Sequence, residues 1–167
     1  MAPLEIRFAN PEDTPVILSL VKELAGYERL SHEVVADETL LRESLFGERR
    51  VAEVLLGISD GTPVGFALFF HNFSTFLGRP GLYLEDLYVK PDYRGRGFGT
   101  SLLTCLAKIA RERNCGRFEW SVLDWNDPAI QFYLNLGALP LDDWTTYRVT
   151  GESLVRLAEM GPRVSGD

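Results

Sequence analysis

Short runs of alternating or continuous apolar residues follow one another along this chain, and amphipathic segments lie between them. Leu4, Ile6 and Phe8 alternate with polar residues and predict a first strand. The runs RVAEVLLGI and PVGFALFFHNF flank SDGT, a turn sequence that indicates a β-hairpin. GLYLEDLYV predicts a fourth strand, RFEWSVL a fifth and TTYRV a last one.

Helical spacing of apolar residues predicts helices between these strands. Asn10 caps the first helix, Pro11 takes its first position, and apolar residues recur from Ile17 to Leu24. Further helices are predicted over residues 37–45, over the apolar stripe from Leu102 to Ala110, over 128–136 with Asn126 or Asp127 as the cap, and as a helical turn or two in ESLVRLAEM.

Helices that alternate with strands around one sheet indicate an α/β or α+β fold in three layers. The chain has no repeat, low-complexity tract or linker, so residues 1–167 are interpreted as a single domain. The C-terminal tail, about residues 161–167, is predicted to be disordered.

Composition narrows the class of function. A net charge of −7 argues against a nucleic-acid partner, which selects a basic surface, and suits a cationic substrate. The N-terminus lacks the basic region and apolar core of a signal peptide, and no apolar run is long enough to span a membrane. Cys105 and Cys115 are the only cysteines, so we expect no disulfide and a cytoplasmic location.

The stretch VKPDYRGRGFGTSLL places three glycines at the joint between the fourth strand and the next helix. Amides of such a turn and the positive end of a helix dipole attract anions. Lys90, Arg94 and Arg96 add charge nearby, so we predict a phosphate or pyrophosphate site. The sequence matches neither the dinucleotide pattern G-x-G-x-x-G nor the phosphate-loop pattern that ends in Gly-Lys.

Glu85 and Asp86 interrupt the apolar fourth strand. In a regular strand they point to opposite faces, and burial beneath helices raises the pKa of a carboxyl group. We interpret the pair as functional, because perturbed carboxyl groups cluster at working sites. Hydrogen bonding of one carboxylate to backbone amides is the structural alternative, and the pattern does not distinguish which of the two acts.

The stretch DWNDPAIQFYLNLGA puts Asn126, Ala129 or Ile130, and Tyr133 on one helical stripe. A tyrosine hydroxyl at the edge of a pocket can donate a proton, although by spacing alone such an aromatic residue indicates core packing. His32 and His71 are the only histidines and form no metal-binding pattern, so no metal site is expected.

These residues resemble the GCN5-related N-acetyltransferases, whose coenzyme A signature is matched by YRGRGFG. The order and spacing of LVKELAGYE, LYLEDLYVKPDYRGRGFGTSLL and WNDPAIQFYLNLGA resemble the diamine (spermidine/spermine) acetyltransferase branch more narrowly. The resemblance implies a mixed, mostly antiparallel sheet with splayed fourth and fifth strands and helices on both faces. It also implies acetyl-CoA as co-substrate, no metal, and a homodimer.

The resemblance implies a coenzyme site with three parts. The pantetheine arm would pair with backbone groups at Leu87, Tyr88 and Val89. The pyrophosphate would lie on the loop amides from Gly95 to Thr100, which include those of Arg96, Gly97, Phe98 and Gly99, with Arg94 beside them. The remaining coenzyme contacts would come from Asn126, Asp127, Pro128, Ala129 and Tyr133.

The same resemblance implies roles around the amine. Tyr133 would be the general acid at the sulfur, and Glu85 the base or a substrate carboxylate. Tyr27 and Glu28 match the family's amine-pocket pair. Separately from the resemblance, a semi-apolar wall of Tyr27, Trp120 and Trp125 would ease removal of the proton from the amine. Asp142 and Asp143 both compete for an acidic substrate position, because LDDWTTY lacks the glycine that the family has before its tryptophan.

We therefore expect an acetyl-CoA-dependent N-acetyltransferase that acts on a small cationic amine, either a polyamine or a lysine-like amino acid. SDGTP is shorter than the corresponding segment of the animal enzymes, and FEWS differs at the pocket, so the amine is less defined than the reaction. The alternatives are a peptide or protein N-acetyltransferase and an acyl-CoA-binding sensor without turnover.

Overall fold

The computed structural model describes residues 4–162 and 164–166 of the chain. It divides into two compact units, Met1–Trp125 and Asn126–Asp167, which are considered one at a time. The strands are β1 (Glu5–Phe8), β2 (Glu53–Ser59), β3 (Thr62–Ser74), β4 (Arg79–Val89) and β5 (Arg117–Trp120). The helices are α1 (Thr14–Tyr27), α2 (Glu38–Phe46), α3 (Phe98–Glu112), α4 (Asp127–Asn135) and α5 (Gly151–Glu159).

The first unit contains a mixed five-stranded sheet in the order β1-β2-β3-β4-β5. Neighbouring strands from β1 to β4 are antiparallel, and β5 runs parallel to β4. The predicted hairpin at SDGT joins β2 to β3, where Asp60 and Gly61 take the positive φ values that a tight turn requires. The predicted mixed, mostly antiparallel sheet is confirmed.

The pairing between β4 and β5 covers only the first part of β4. Gly81 to Leu84 lie opposite Arg117 to Trp120, and β4 then continues to Val89 beyond the last paired residue of β5. Beyond Leu84 the two strands are no longer paired, and the splay that the resemblance implies stays a prediction. The predicted fifth strand RFEWSVL is too long, because strand structure ends at Trp120, the last residue that pairs with β4.

Helices cover both faces of this sheet, which confirms the layered prediction. On one face α1 and α2 pack against β2, β3 and β4 through a cluster that includes Ile17, Leu20, Leu45, Leu56 and Phe66. Side chains alternate along a strand, so the intervening residues face the other layer. There α3 contacts β2, β3, β4 and β5 and buries Phe98, Leu102, Leu103, Leu106 and Ala110.

The predicted helix caps form in the first unit. Asn10 accepts a hydrogen bond from the Glu12 amide, and the Asp13 carboxylate bonds back to the Asn10 amide. Before α1 the chain makes a short 3-10 turn over Pro11–Asp13 rather than starting the α-helix at once. Arg7 binds Asp13 at 2.7 Å and so ties β1 to this turn.

The second unit consists of α4, α5 and the segment between them. Asn126, not Asp127, is the N-cap of α4, and its side chain accepts a hydrogen bond from the Ala129 amide at 3.4 Å. The predicted strand TTYRV is wrong: residues 145–149 form no strand and are exposed. Strand propensity alone does not make an exposed segment a strand when no neighbouring strand pairs with it. α5 confirms the helical turns that ESLVRLAEM predicts.

Two sequence predictions about the ends and the extent of the domain stay predictions. The predicted disordered tail includes Arg163 and Asp167, which lie outside the described residues. The interpretation of residues 1–167 as one domain also stays a prediction. Among the described residues, no helix is long and apolar enough to cross a membrane.

Candidate functional site

The glycine-rich loop connects β4 to α3 through a short 3-10 turn at Pro91–Tyr93. Gly95 and Gly97 have φ values of +72° and +78°, in the left-handed region that disfavours side chains. A Cβ atom at either position would meet no atom within 4 Å, so backbone conformation rather than crowding requires glycine there. Gly99 differs from both, because it lies inside the first turn of α3.

The N-terminus of α3 supplies amides suited to an anion. The first helical hydrogen bond runs from the Ser101 amide to the Gly97 carbonyl at 2.9 Å. The amides of Phe98, Gly99 and Thr100 precede that bond, and the first amides of a helix have no acceptor within it. The dipole of the 15-residue helix adds positive potential at the same end. The loop therefore fits the pyrophosphate that the sequence predicts.

The basic side chains of the loop already contact protein groups. Lys90 lies 3.6 Å from Glu23, and Arg96 donates to the Asp92 carbonyl at 2.9 Å while its guanidinium lies 5.2 Å from the Tyr93 ring centre. Backbone amides are therefore the donors that the loop presents most directly. Coenzyme contacts by the predicted arginines stay a prediction.

Arg94 points back toward the sheet and toward α1. Its Nε donates to the Val89 carbonyl at 2.8 Å. Its guanidinium lies 4.7 Å from the Tyr27 ring centre and 5.4 Å from that of Tyr88. Tyr88 in turn donates to Glu23 at 3.3 Å. One arginine thus connects the loop, the end of β4 and the end of α1.

Tyr27 and Trp125 form an aromatic wall, with ring centres 6.4 Å apart. Arg29 lies 4.8 Å from the Trp125 ring centre, and its own φ of +61° turns the chain after α1. Trp120 packs edge to face on Phe118, with ring centres 5.0 Å apart. The sequence analysis missed Glu23 and Arg29; no spacing pattern marks them.

A β-bulge in the pairing of β3 with β4 sets the positions of Glu85 and Asp86. Leu68 lies opposite Asp86 and Phe69 lies opposite Leu84, so the register passes over Glu85. Glu85 is exposed and Asp86 is partly buried. The expectation that both carboxylates are buried in a regular strand is therefore wrong. Bulges of this kind re-aim side chains and occur often beside active sites.

Asp86 has a strongly perturbed acidity. Burial, followed by the charges of Glu85 and Glu28, raises the pKa of Asp86 to about 7. Burial also raises the pKa of Glu28 above its ordinary value. Glu28 and Glu85 both lie within electrostatic range of Asp86, and these three residues are hereafter called the carboxylate cluster. Like charges held together favour either a bound proton or a bound cation.

The unpaired end of β4 begins beside this cluster. Leu87, Tyr88 and Val89 pair with β3 on one side, while the pairing with β5 has already ended. A strand edge with unpaired backbone groups can accept an extended ligand. The edge therefore fits the pantetheine arm, with the Val89 carbonyl already bonded to one donor, Arg94.

The remaining predicted residues belong to the second unit. Asn126 is buried, and Asp127, Pro128 and Ala129 form the first turn of α4. Tyr133 lies on the same helix, with its ring centre 5.4 Å from that of Phe132. Asp142 and Asp143 are exposed in a turn. The roles assigned to all of these residues stay predictions.

The possible metal ligands and the two cysteines complete the description of the site chemistry. No group of three or more His, Cys, Asp or Glu residues in 4–162 and 164–166 is arranged to hold a metal ion. Cys105 and Cys115 are free thiols.

Sequence comparison identifies relatives over almost the whole chain. The model of the acetyltransferase (GNAT) family matches residues 17–138. Thialysine N-epsilon-acetyltransferase of Sus scrofa is 40% identical, over 95% of this chain and 99% of its own. L-Ornithine N5-acetyltransferase NATA1 of Arabidopsis thaliana is 36% identical, over 89% and 85%. Spermidine/spermine N(1)-acetyltransferase-like protein 1 of Homo sapiens is 34% identical over 92% of this chain but only 24% of its own length.

Structural comparison agrees with the sequence relatives. An integron cassette protein from the mobile metagenome of V. cholerae superposes with a TM-score of 0.80 at 28% identity, over 95% of this chain and 99% of that one. The predicted fold class is confirmed, as is the resemblance to the GNAT acetyltransferases, whose relatives here include a spermidine/spermine N(1)-acetyltransferase-like protein.

The acidity of Asp86 predicts a pH-dependent stability difference. Its folded-state pKa lies above the ordinary value, so the stability that its protonation provides is lost as the pH rises from about 4 to about 7. We expect Asp86→Asn to exceed the wild type in free energy of unfolding by about 1–3 kcal/mol at pH 8 and to match it near pH 4. Urea unfolding at both pH values measures this difference.

Glu85→Gln is the matched control for this experiment. Glu85 is exposed and contributes only part of the rise in the pKa of Asp86. Its replacement should therefore increase the free energy of unfolding at pH 8 by less than Asp86→Asn does. An Asp86→Asn difference that is equal at the two pH values would show that Asp86 has an ordinary acidity.

Proposed function

This chain belongs to the GNAT family of acetyltransferases and is an N-acetyltransferase, and from that premise we propose that its substrate is the side-chain amine of a lysine-like amino acid or a diamine. The carboxylate cluster beside the unpaired end of β4 is the observation that carries this proposal. Two relatives whose names state thialysine and ornithine as substrates support it. A cytoplasmic location and assembly as a homodimer stay predictions.

The GNAT family uses acetyl-CoA as co-substrate, and the residues of the first unit suit it. The backbone groups of Leu87 to Val89 would hold the pantetheine arm, and the amides that begin α3 would hold the pyrophosphate. When bound, the coenzyme supplies a thioester carbonyl that accepts the amine. The chain must therefore attract a cation, remove its proton and exclude water.

Removing the proton is the demanding step. A primary amine with a pKa near 10.4 is almost fully protonated at pH 7, and exposing its lone pair then requires about 4–5 kcal/mol. A carboxylate of ordinary acidity is a weak base for this purpose. Asp86, with a pKa of about 7, matches the operating pH better, and exposed Glu85 attracts the cation. We assign Asp86 the role of base, directly or through a water molecule, and retain Glu85 as a carboxylate at the amine.

Tyr133 completes the proposed set of proton-transfer groups. A tyrosine hydroxyl placed at the sulfur can donate a proton as the thiolate departs; the transfer is only modestly uphill, because the pKa of a thiol, about 8.5, lies not far below that of tyrosine, about 10. Support for this role is the match of WNDPAIQFYLNLGA to the family motif together with the position of Tyr133 on α4, which Asn126 caps.

The first functional test compares amines that differ only in a second cation. We expect 1,5-diaminopentane to exceed 1-aminopentane, and L-lysine to exceed Nα-acetyl-L-lysine, by about tenfold or more in kcat/KM, because a charge-assisted hydrogen bond contributes about 1.5–3 kcal/mol. Release of free thiol from acetyl-CoA measures the rate. Differences below twofold in both pairs, or a peptide N-terminus as the best substrate, would contradict the proposal.

The pH dependence of the rate tests the assignment of the base. We expect kcat/KM to rise with pH through a midpoint near 7, well below the ionisation of the amine itself. Asp86→Asn should remove this limb and lower kcat by about 100-fold, within the range typical of general base catalysis. Glu28→Gln removes one of the charges that raise the pKa of Asp86, so the rise of kcat/KM with pH in this variant should shift to lower pH. A limb that persists in Asp86→Asn and disappears in Glu85→Gln would assign the base to Glu85.

Replacing Tyr133 tests the general acid. Tyr133→Phe removes one hydroxyl and should lower kcat by about 100-fold or more while the Kd for coenzyme A stays within twofold. Steady-state kinetics and calorimetry measure the two quantities. Phe132→Leu, which changes the neighbouring ring and retains the hydroxyl, is the control. A kcat within twofold of the wild type would make Tyr133 a packing residue.

A further inference from the structure

We propose that Arg94 is a positioning residue that couples the coenzyme loop to the aromatic wall of the amine site, and that this coupling, not a contact with phosphate, is its main contribution. The proposal rests on the proposed function for what binds at each end. Its physical basis is the set of contacts that the Arg94 side chain makes within the first unit.

The first contact fixes the loop on the strand. Arg94 follows the 3-10 turn at Pro91–Tyr93 and precedes Gly95, where the chain enters the left-handed region. Its Nε donates to the Val89 carbonyl at 2.8 Å, five residues back along the chain. A charge-assisted hydrogen bond of this kind is stronger than a neutral one. The start of the glycine loop is thereby held at a defined distance from the end of β4.

The second contact reaches a different element. The guanidinium lies 4.7 Å from the ring centre of Tyr27, the last residue of α1, and 5.4 Å from that of Tyr88. Both distances are in the range of cation–π attraction. Tyr27 also contacts Trp125, whose ring centre is 6.4 Å away. A shift of the Arg94 side chain would therefore change the packing of the wall beside Glu28.

Arg96 lies in the same loop and serves as a comparison, because the tyrosine on which it stacks belongs to that loop. Its guanidinium bonds the Asp92 carbonyl at 2.9 Å and lies 5.2 Å from the Tyr93 ring centre. Both partners belong to the loop itself. The two arginines are thus alike in chemistry, in carbonyl bonding and in stacking on a tyrosine. They differ in whether the stacked tyrosine belongs to another element, which makes Arg96 a matched control.

Coupling between two sites is reciprocal, so a change in the wall must alter coenzyme affinity if Arg94 connects them. We expect Tyr27→Leu to weaken coenzyme A binding about fivefold, at the low end of typical coupling. In the Arg94→Gln background the same change should weaken binding less than twofold. In the Arg96→Gln background its full effect should remain. Calorimetric titration with coenzyme A measures all six proteins without turnover.

The outcomes separate coupling from simpler roles. Equal effects of Tyr27→Leu in the wild-type and Arg94→Gln backgrounds, or no effect in either, would overturn the proposal. Arg94→Lys retains the charge but loses the planar contact with the ring, so it should restore coenzyme affinity in part and leave the coupling reduced. If Arg94→Gln fails to fold, as thermal unfolding would show, the cycle is run with Arg94→Lys and the same criteria apply.

Kinetic measurements with a diamine distinguish the role inferred for Arg94 from the proposed function of the protein. With coupling, Arg94→Gln should raise the KM for a diamine about fivefold or more, and Arg96→Gln, which removes a loop charge whose stacking partner Tyr93 lies in the loop itself, should raise it less. If no amine is acetylated by the wild type, the proposed function fails. The calorimetric titrations of the single and double variants with coenzyme A alone still decide the role of Arg94.

Discussion

The site depends on one feature of the sheet: β4 has two neighbours over its first part and one over its second. Between Gly81 and Leu84 both edges of the strand are paired, and from Glu85 to Val89 the edge toward β5 is open. A strand edge left open inside a fold is costly unless something pairs with it. The bulge at Glu85 begins this open part of β4, and the glycine loop and α3 come after it along the chain. On the proposed function, coenzyme and amine meet along this one strand.

The first unit attracts negative charge at one place and positive charge at another. At the loop, amides and a helix dipole attract negative charge with little help from basic side chains, since Lys90 is paired with Glu23 and the arginines bond carbonyls. At the bulge, burial and like charge concentrate carboxylates around Asp86. On the proposed function, a dianionic pyrophosphate is attracted to the loop that follows β4, and a cationic amine to the bulge within β4. On this interpretation, the acidic residues of the chain serve to attract the substrate as well as to keep the protein in solution.

Local rules predicted most of the fold and the outline of the site. The cap at Asn10, the hairpin at SDGT and the glycine loop are each determined by a few adjacent residues. Features that depend on pairing between distant residues were not predictable in the same way. The bulge that exposes Glu85 and leaves Asp86 to be perturbed is set by the register against β3, and TTYRV has strand propensity without a partner. The stacking of Arg94 on Tyr27 joins residues 67 positions apart and has no signature in either segment.

On the role inferred for Arg94, its main contribution to the glycine loop is to order the backbone rather than to bind the anion itself. Two left-handed glycines leave the loop with few internal restraints, and flexible amides bind an anion weakly because ordering them costs conformational entropy. An arginine that bonds the strand end removes part of that entropy before the ligand arrives, which is preorganisation. Because Arg94 also stacks on the end of α1, the order it imposes on the loop is shared with the wall beside Glu28. Binding at either end then benefits from the same restraint, and the open part of β4 between them is where the two substrates would meet.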